Sequence, residues 1–250
     1  MNLSMRSLRY SVLATALICS LAPATAATST PAIERALADP SRADQKGDDA
    51  RRKAAEVLAF SEVKSGDKVV DFFPGSGYWT RIFTGIVGEK GRVYAIWPAS
   101  AAKYATDTLP ALQARKLPNV TAEVQSSNLP TVPQPVDLFW TVQNYHDVAN
   151  EGGEEALKAF NAAVFKSLKP GGTYVVIDHA DGAGSGLSGT STRHRIEKSV
   201  VVRQVEAAGF KLVGESQVLA NPQDDHLTKV FDPAIRGRTD QFVLKFRKPR

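Results

Sequence analysis

Three short stretches hold the residue types that could do chemistry. "VVDFFPGSGY" places Asp71 at the end of an apolar run and follows it with Gly75, Ser76, Gly77 and Tyr78. Glycines at such a turn let backbone approach a ligand with no Cβ in the way, and a helix opening behind them offers unpaired N–H groups. The alternative is a tight strand-to-helix turn that holds nothing. "TVQNYHDV" gathers Asn144, Tyr145, His146 and Asp147. An imidazole with an ordinary pKa of about 6.5 can take a proton from a nucleophile; equally, Asn144 and Asp147 could cap a turn with His146 as a satisfied polar neighbour. "VIDHAD" sets Asp178, His179 and Asp181 in one run, and carboxylate with imidazole suits zinc or iron. Neighbours along an extended strand point to opposite faces, so Asp178 and His179 do not easily share an ion, although with His146 brought in from the next strand a site is conceivable. No metal is therefore expected. His194, in "TRHRIEK", falls at a helix start where Thr192 could cap and where Arg193 and Arg195 read as solvated charges, and His226 reads as a loop residue.

Alternating elements must position these residues. Strand-like runs cover 68–73, 92–97, 120–125, 136–142 and 173–178. Between them, 78–87 and 101–116 look helical, and 154–168 is the clearest helix, with Leu157, Phe160, Val164 and Leu168 on one face and "KPGG" breaking it. Such alternation implies a parallel sheet covered by helices on both faces. After the loop "GAGSGLSGTS", a helix over 196–208 carries a stripe of Ile196, Val200, Val201 and Val205. Two further strands, starting near Phe210 and Asp240 and joined without a helix, pair most simply antiparallel.

Residues 1–26 have Arg6 and Arg9 ahead of a short apolar stretch and an A-x-A ending at Ala26, the pattern of a secretory signal peptide. The apolar stretch is shorter than the roughly 20 residues of a spanning helix. Periplasmic or secreted location follows, with residues 27–49 as an N-terminal arm and 50–250 as the folded domain. Cys19, the sole cysteine, lies in the leader behind the bulky Ile18, a poor match to lipoprotein processing, so disulfides do not stabilise the mature chain. Setting Arg6 and Arg9 aside leaves 29 basic against 26 acidic residues. With no basic stripe interleaved with aromatics, nucleic acid is not an expected partner.

A dinucleotide site would show G-x-G-x-x-G and an acid some twenty residues on, and neither is present, which weighs against a nicotinamide-dependent reductase. The set "VVDFFPGSG", Tyr78-Trp79 opening a helix, and "LKPGGTYVVIDH" running into a strand resembles the class I S-adenosylmethionine-dependent methyltransferases over roughly residues 50–250. More narrowly, "DFFPGSGYWT", "NYHD" and "FDPAIRGRTDQFVLKFRKP" are similar to a bacterial subgroup of predicted methyltransferases that often carry a signal peptide. The resemblance implies a doubly wound, mostly parallel, seven-stranded Rossmann-like sheet with a C-terminal antiparallel strand. It implies S-adenosylmethionine as cofactor, with Asp71, Gly75, Ser76, Gly77 and Tyr78 around its methionine end and Trp97 walling its nucleoside. Asn144, Tyr145 and His146 then face a small-molecule or peptidic methyl acceptor. Two positions depart from the family pattern: Phe73 replaces the first loop glycine, and Trp97 stands where an acid holds the ribose hydroxyls. The other reading consistent with these departures is a small-ligand-binding protein that keeps the fold without catalysis.

Overall fold

The computed structural model describes residues 28–250; the leader expected over 1–26 lies outside them. Seven strands form one sheet in the order β3-β2-β1-β4-β5-β7-β6. These are β1 (Lys68–Phe72), β2 (Arg92–Trp97), β3 (Val120–Val124), β4 (Val136–Val142), β5 (Leu168–His179), β6 (Lys211–Ser216) and β7 (Gln241–Arg247). All neighbours pair parallel except β7, which runs antiparallel to both β5 and β6. This is the expected Rossmann-like methyltransferase sheet with its closing antiparallel strand. Strand order reverses between β1 and β4, so their carboxyl ends diverge there and leave a crevice.

Alternation along β1 divides the core. Val69 faces α2 (Ala54–Ser61) and α3 (Tyr78–Val87) among Val57, Leu58, Ile82 and Phe83. Val70 and Phe72 face the other layer, where α6 (Gly153–Ser167) contributes Leu157, Phe160 and Val164, and α7 (Lys198–Ala207) contributes Val201 and Val205. Glu154 and Glu155 in the first turn of α6 and Lys166 in its last complement the helix dipole.

The arm is not loose chain. Its helix α1 (Pro31–Ala38) begins with Thr30 accepting from the Ile33 N–H and buries Ile33 and Ala36. Ala36 packs so closely on Gly85 of α3 that a Cβ at Gly85 would lie 2.9 Å from the Ala36 methyl. Behind it, Arg42 is buried and pairs with Asp49 at 2.7 Å, and Arg81 of α3 reaches back to Asp44 at 2.8 Å. These bonds fix residues 41–52 across the end of the crevice.

Three elements differ from the sequence reading. The helix expected over 101–116 is a 3-10 turn at Ala99–Tyr104 followed by α4 (Thr108–Ala114). Pro110 explains the break: lacking an N–H, it is tolerated in the first turn of a helix but not in its interior. The "LKPGG" run does not separate α6 from β5 but opens β5, where the pairing with β4 shifts register between Val136 and Leu138 and Lys169 bonds Asp137 at 2.7 Å. Ile196 does not begin α7. Instead residues 194–196 lie alongside the end of β5, with a parallel bridge from Ile196 to Ala180 and the Ile196 N–H donating to the His179 carbonyl at 3.0 Å. Among the described residues no helix is long and apolar enough to cross a membrane.

Candidate active site

The loop after β1 is a run of left-handed backbone: Phe73 at φ 59, Gly75 at φ 55 and Gly77 at φ 74. At Gly75 a Cβ would meet nothing within 4 Å, so its backbone faces open space. At the base of that space Asp71 is 2 % exposed and accepts from the Thr80 hydroxyl at 2.6 Å. Burial pushes the Asp71 carboxyl up to about 7, against the pull of Thr80 and of the Arg52 charge. A cavity of about 180 Å³ is bounded by Asp71, Gly75, Ser76, Tyr78, Arg52 and Asn144. Its outer edge is closed by the arm: Gln45 Nε2 donates to the Ser76 carbonyl at 3.2 Å, and the Tyr78 hydroxyl donates to Asp49 at 2.6 Å. The Arg52 guanidinium sits 4.6 Å from the Tyr78 ring centroid. Gln45, Asp49 and Arg52 were not marked by the sequence, because an exposed-looking polar run gives no sign of where it folds back.

Trp97, at the end of β2, is fully buried against Ala95, Ala101, Ala105 and Leu112, and its indole N–H has no partner. Phe73 leans on this cluster and contacts Tyr104, ring centroids 5.7 Å apart. An aromatic wall thus stands beside the Gly75 loop where the family pattern has a ribose-binding acid.

At the end of β4, Gln143 adopts φ 59 and the chain turns into α5 (Tyr145–Asn150). Asn144 ties the two diverging strands together: its amide donates to the Phe72 carbonyl at 3.1 Å and the Val142 carbonyl at 3.0 Å, while its oxygen accepts from Thr141. It forms part of the cavity floor. Tyr145 points the other way, into the core, where Asn161 donates to its hydroxyl at 2.7 Å and burial raises its pKa. The ring therefore does not border the crevice, for a helix starting at Asn144 turns the next residue inward. Tyr145→Phe should leave ligand binding in the crevice unchanged and lower stability by about 1–3 kcal/mol through the unpaired Asn161 amide; parallel denaturation and ligand titration check this.

His146 is the residue whose chemistry the fold has most constrained. Its backbone N–H donates to Asp178 at 2.9 Å, and its Nδ1 lies 2.8 Å from the other oxygen of the same carboxylate. Both residues are buried. Burial opposes the imidazolium, but the Asp178 charge and hydrogen bond outweigh it and raise the His146 pKa, while Asp178 is held below the ordinary carboxylate value. With Nδ1–H committed to Asp178, Nε2 points outward, 3.3 Å from Nδ1 of His194 and 3.5 Å from the Asp147 carboxylate. His179 and Asp181 are used elsewhere. His179 bonds Thr239 at 2.7 Å and burial depresses its pKa to about 4, and Asp181 pairs with Arg193 at 2.8 Å. Asp178 and His179, adjacent along β5, serve different partners, as strand alternation requires. What the sequence did not show is His194, carried to His146 by the strap beside β5.

No family model matches this sequence, and no curated protein does. Solved structures do. A SAM-dependent methyltransferase from Aquifex aeolicus superposes with a TM-score of 0.56 at 22% identity, over 86% of this chain and 96% of that one. The N-methyltransferase NodS from Bradyrhizobium japonicum gives 0.57 at 11% identity, over 83% and 99%. The cyclase SpnF gives 0.57 at 18% identity, over 80% and 82%. The chain thus has the class I methyltransferase fold, which at these identities is a statement about architecture.

Proposed function

We propose that the protein is an S-adenosylmethionine-dependent methyltransferase of the signal-peptide-bearing bacterial type, acting in the cell envelope on a small-molecule or peptidic acceptor. The observation that carries this reading is Asp71. A buried carboxyl poised near neutrality, at the floor of a cavity that the Gly75 backbone leaves open, is suited to an amino-acid ammonium, which would hold it ionised. Asp71, Gly75, Ser76 and Tyr78 line that cavity and would hold the methionine end of the cofactor, with Gly77 forming the turn behind them. On the nucleoside side Phe73 lines the cavity and would offer stacking surface, with the fully buried Trp97 packed behind it; neither accepts a ribose proton.

When bound, S-adenosylmethionine supplies an electrophilic methyl group, and transfer then needs chiefly alignment and a dry site. Asn144 keeps the ends of β1 and β4 in register and so sets the floor on which ligand and acceptor meet. The Asp178–His146 pair lies beyond Asn144, outside the lining of the cavity; an acceptor that reaches Nε2 of His146 would give up its proton there, with Asp178 stabilising the resulting charge. A crystal soaked with S-adenosylhomocysteine tests the assignment. The ammonium should be found on Asp71, with the adenine against Phe73 and with Tyr104 moved aside. Density for the ligand elsewhere, or none in this cavity, would reject it.

A further inference from the structure

The geometry points to a divalent transition-metal site formed by His146 Nε2, His194 Nδ1 and Asp147 Oδ1. These three atoms lie within 4.8 Å of one another, at separations of 3.3, 3.5 and 4.0 Å. An ion bound at about 2.1 Å by nitrogen and oxygen ligands holds neighbouring ligand atoms roughly 3.0–3.5 Å apart. Two edges of the triangle already match, and the third closes by a small rotation of the Asp147 carboxylate, whose side chain is 43% exposed and free to make it.

Independent features of the surroundings favour the assignment. Asp178 bonds Nδ1 of His146, the outer-sphere carboxylate that fixes the tautomer of a ligating imidazole and aims its lone pair at an ion. His194 holds φ 56, a left-handed conformation that costs a non-glycine residue energy and is kept where structure imposes it. The imposition is visible. Ile196 pairs with the end of β5, and Arg195, fully buried, is locked by Asp224 and by the carbonyls of Ala180 and Thr228. His194 itself is 26% exposed, so the site opens to solvent on one side and leaves positions for water or a substrate oxygen. Two imidazoles and one carboxylate suit zinc or iron rather than calcium or magnesium.

The site stands on its own geometry, but its catalytic consequence rests on the methyltransferase reading. An acceptor hydroxyl on an open position of the ion would lose its proton to solvent near neutral pH; His146, its Nε2 lone pair given to the ion, would then hold the metal in place of acting as the base. The acceptor class this favours is one bearing an ionisable oxygen.

The full chain, stripped with a chelator, is titrated with Zn2+ and with Co2+. One equivalent of each is expected, the cobalt complex showing visible d–d absorption. Asp178→Asn should weaken binding about 10–100-fold without changing the stoichiometry, His194→Ala should abolish it, and His226→Ala should match the unaltered protein. Circular dichroism confirms that each variant folds. No stoichiometric binding by the unaltered protein at millimolar metal would overturn the site, as would a folded His194→Ala variant that binds as tightly. Titration of S-adenosylhomocysteine into metal-free protein separates the two claims: binding of that ligand without binding of either metal sinks this site alone, and metal binding without it supports the site while removing its role in methyl transfer.

Discussion

Asp71→Asn is expected to weaken S-adenosylhomocysteine binding by roughly 10–100-fold, as loss of a charge-assisted hydrogen bond of about 1.5–3 kcal/mol requires. The same change should stabilise the ligand-free protein at pH 8. The folded-state pKa of Asp71 lies at about 7, above its ordinary value of 3.8, because the carboxylate is desolvated. Its contribution to stability is fully present below 3.8 and is lost as the pH rises through about 7. Asparagine never ionises, so the variant escapes that loss. It should be more stable than the parent at pH 8, by on the order of a few kcal/mol, and close to it at pH 4. Binding and stability moving in opposite directions is the mark of a group kept for a ligand rather than for the fold. Parallel melting curves and calorimetric titrations at the two pH values measure both.

Asp224→Ala should be the most damaging single change outside the crevice. The side chains of Arg195 and Asp224 are 0% and 1% exposed, and two guanidinium nitrogens reach the two carboxylate oxygens at 2.9 Å. The carboxylate also accepts from the backbone N–H groups of His226 and Asp240, so it ties together the helix-free segment between β6 and β7. Truncation leaves a buried cation without its partner, which costs about 3–5 kcal/mol. In a chain of this size that lowers the melting temperature by roughly 6–20 °C. Asp224→Asn, which keeps hydrogen-bonding atoms in place, should cost less. Arg195 anchors the strap that bears His194, so the alanine variant should also lose metal binding while S-adenosylhomocysteine still binds at Asp71.

Much of this architecture could be read in advance where the physics is local. The parallel strands are short runs rich in valine and aromatic residues, as strands buried on both faces must be, and Gly75 and Gly77 mark a turn that uses left-handed backbone. The closing antiparallel pair followed from the want of a crossover helix. Local pattern misled where one residue overrode a periodicity, as Pro110 did in splitting an expected helix. It also misled where a helix began one residue from where a side chain needed to point, so that Tyr145 turned inward while Asn144 stayed at the floor.

The rest was illegible for a different reason. His194 reaches His146 only because residues 194–196 add themselves to the end of β5, and no repeat or turn signal encodes that return. The arm gives Gln45 and Asp49, and the turn after it Arg52, to the rim of the cavity through contacts made 26 to 31 positions away, which composition cannot forecast. Residues that respond to a distant partner carry no period of their own. Both the Asp178–His146 pair and the Phe73–Tyr104 wall are of this kind.

The central claim is that the Asp71 cavity takes the amino-acid end of S-adenosylmethionine. Calorimetric titration of the protein with S-adenosylhomocysteine at pH 6.5, in two buffers of different ionisation enthalpy, tests it most directly. The account predicts a single site, with a heat that differs between the buffers because a largely protonated Asp71 releases its proton as the ammonium arrives. No heat in either buffer at millimolar ligand, or binding without proton release, would contradict it.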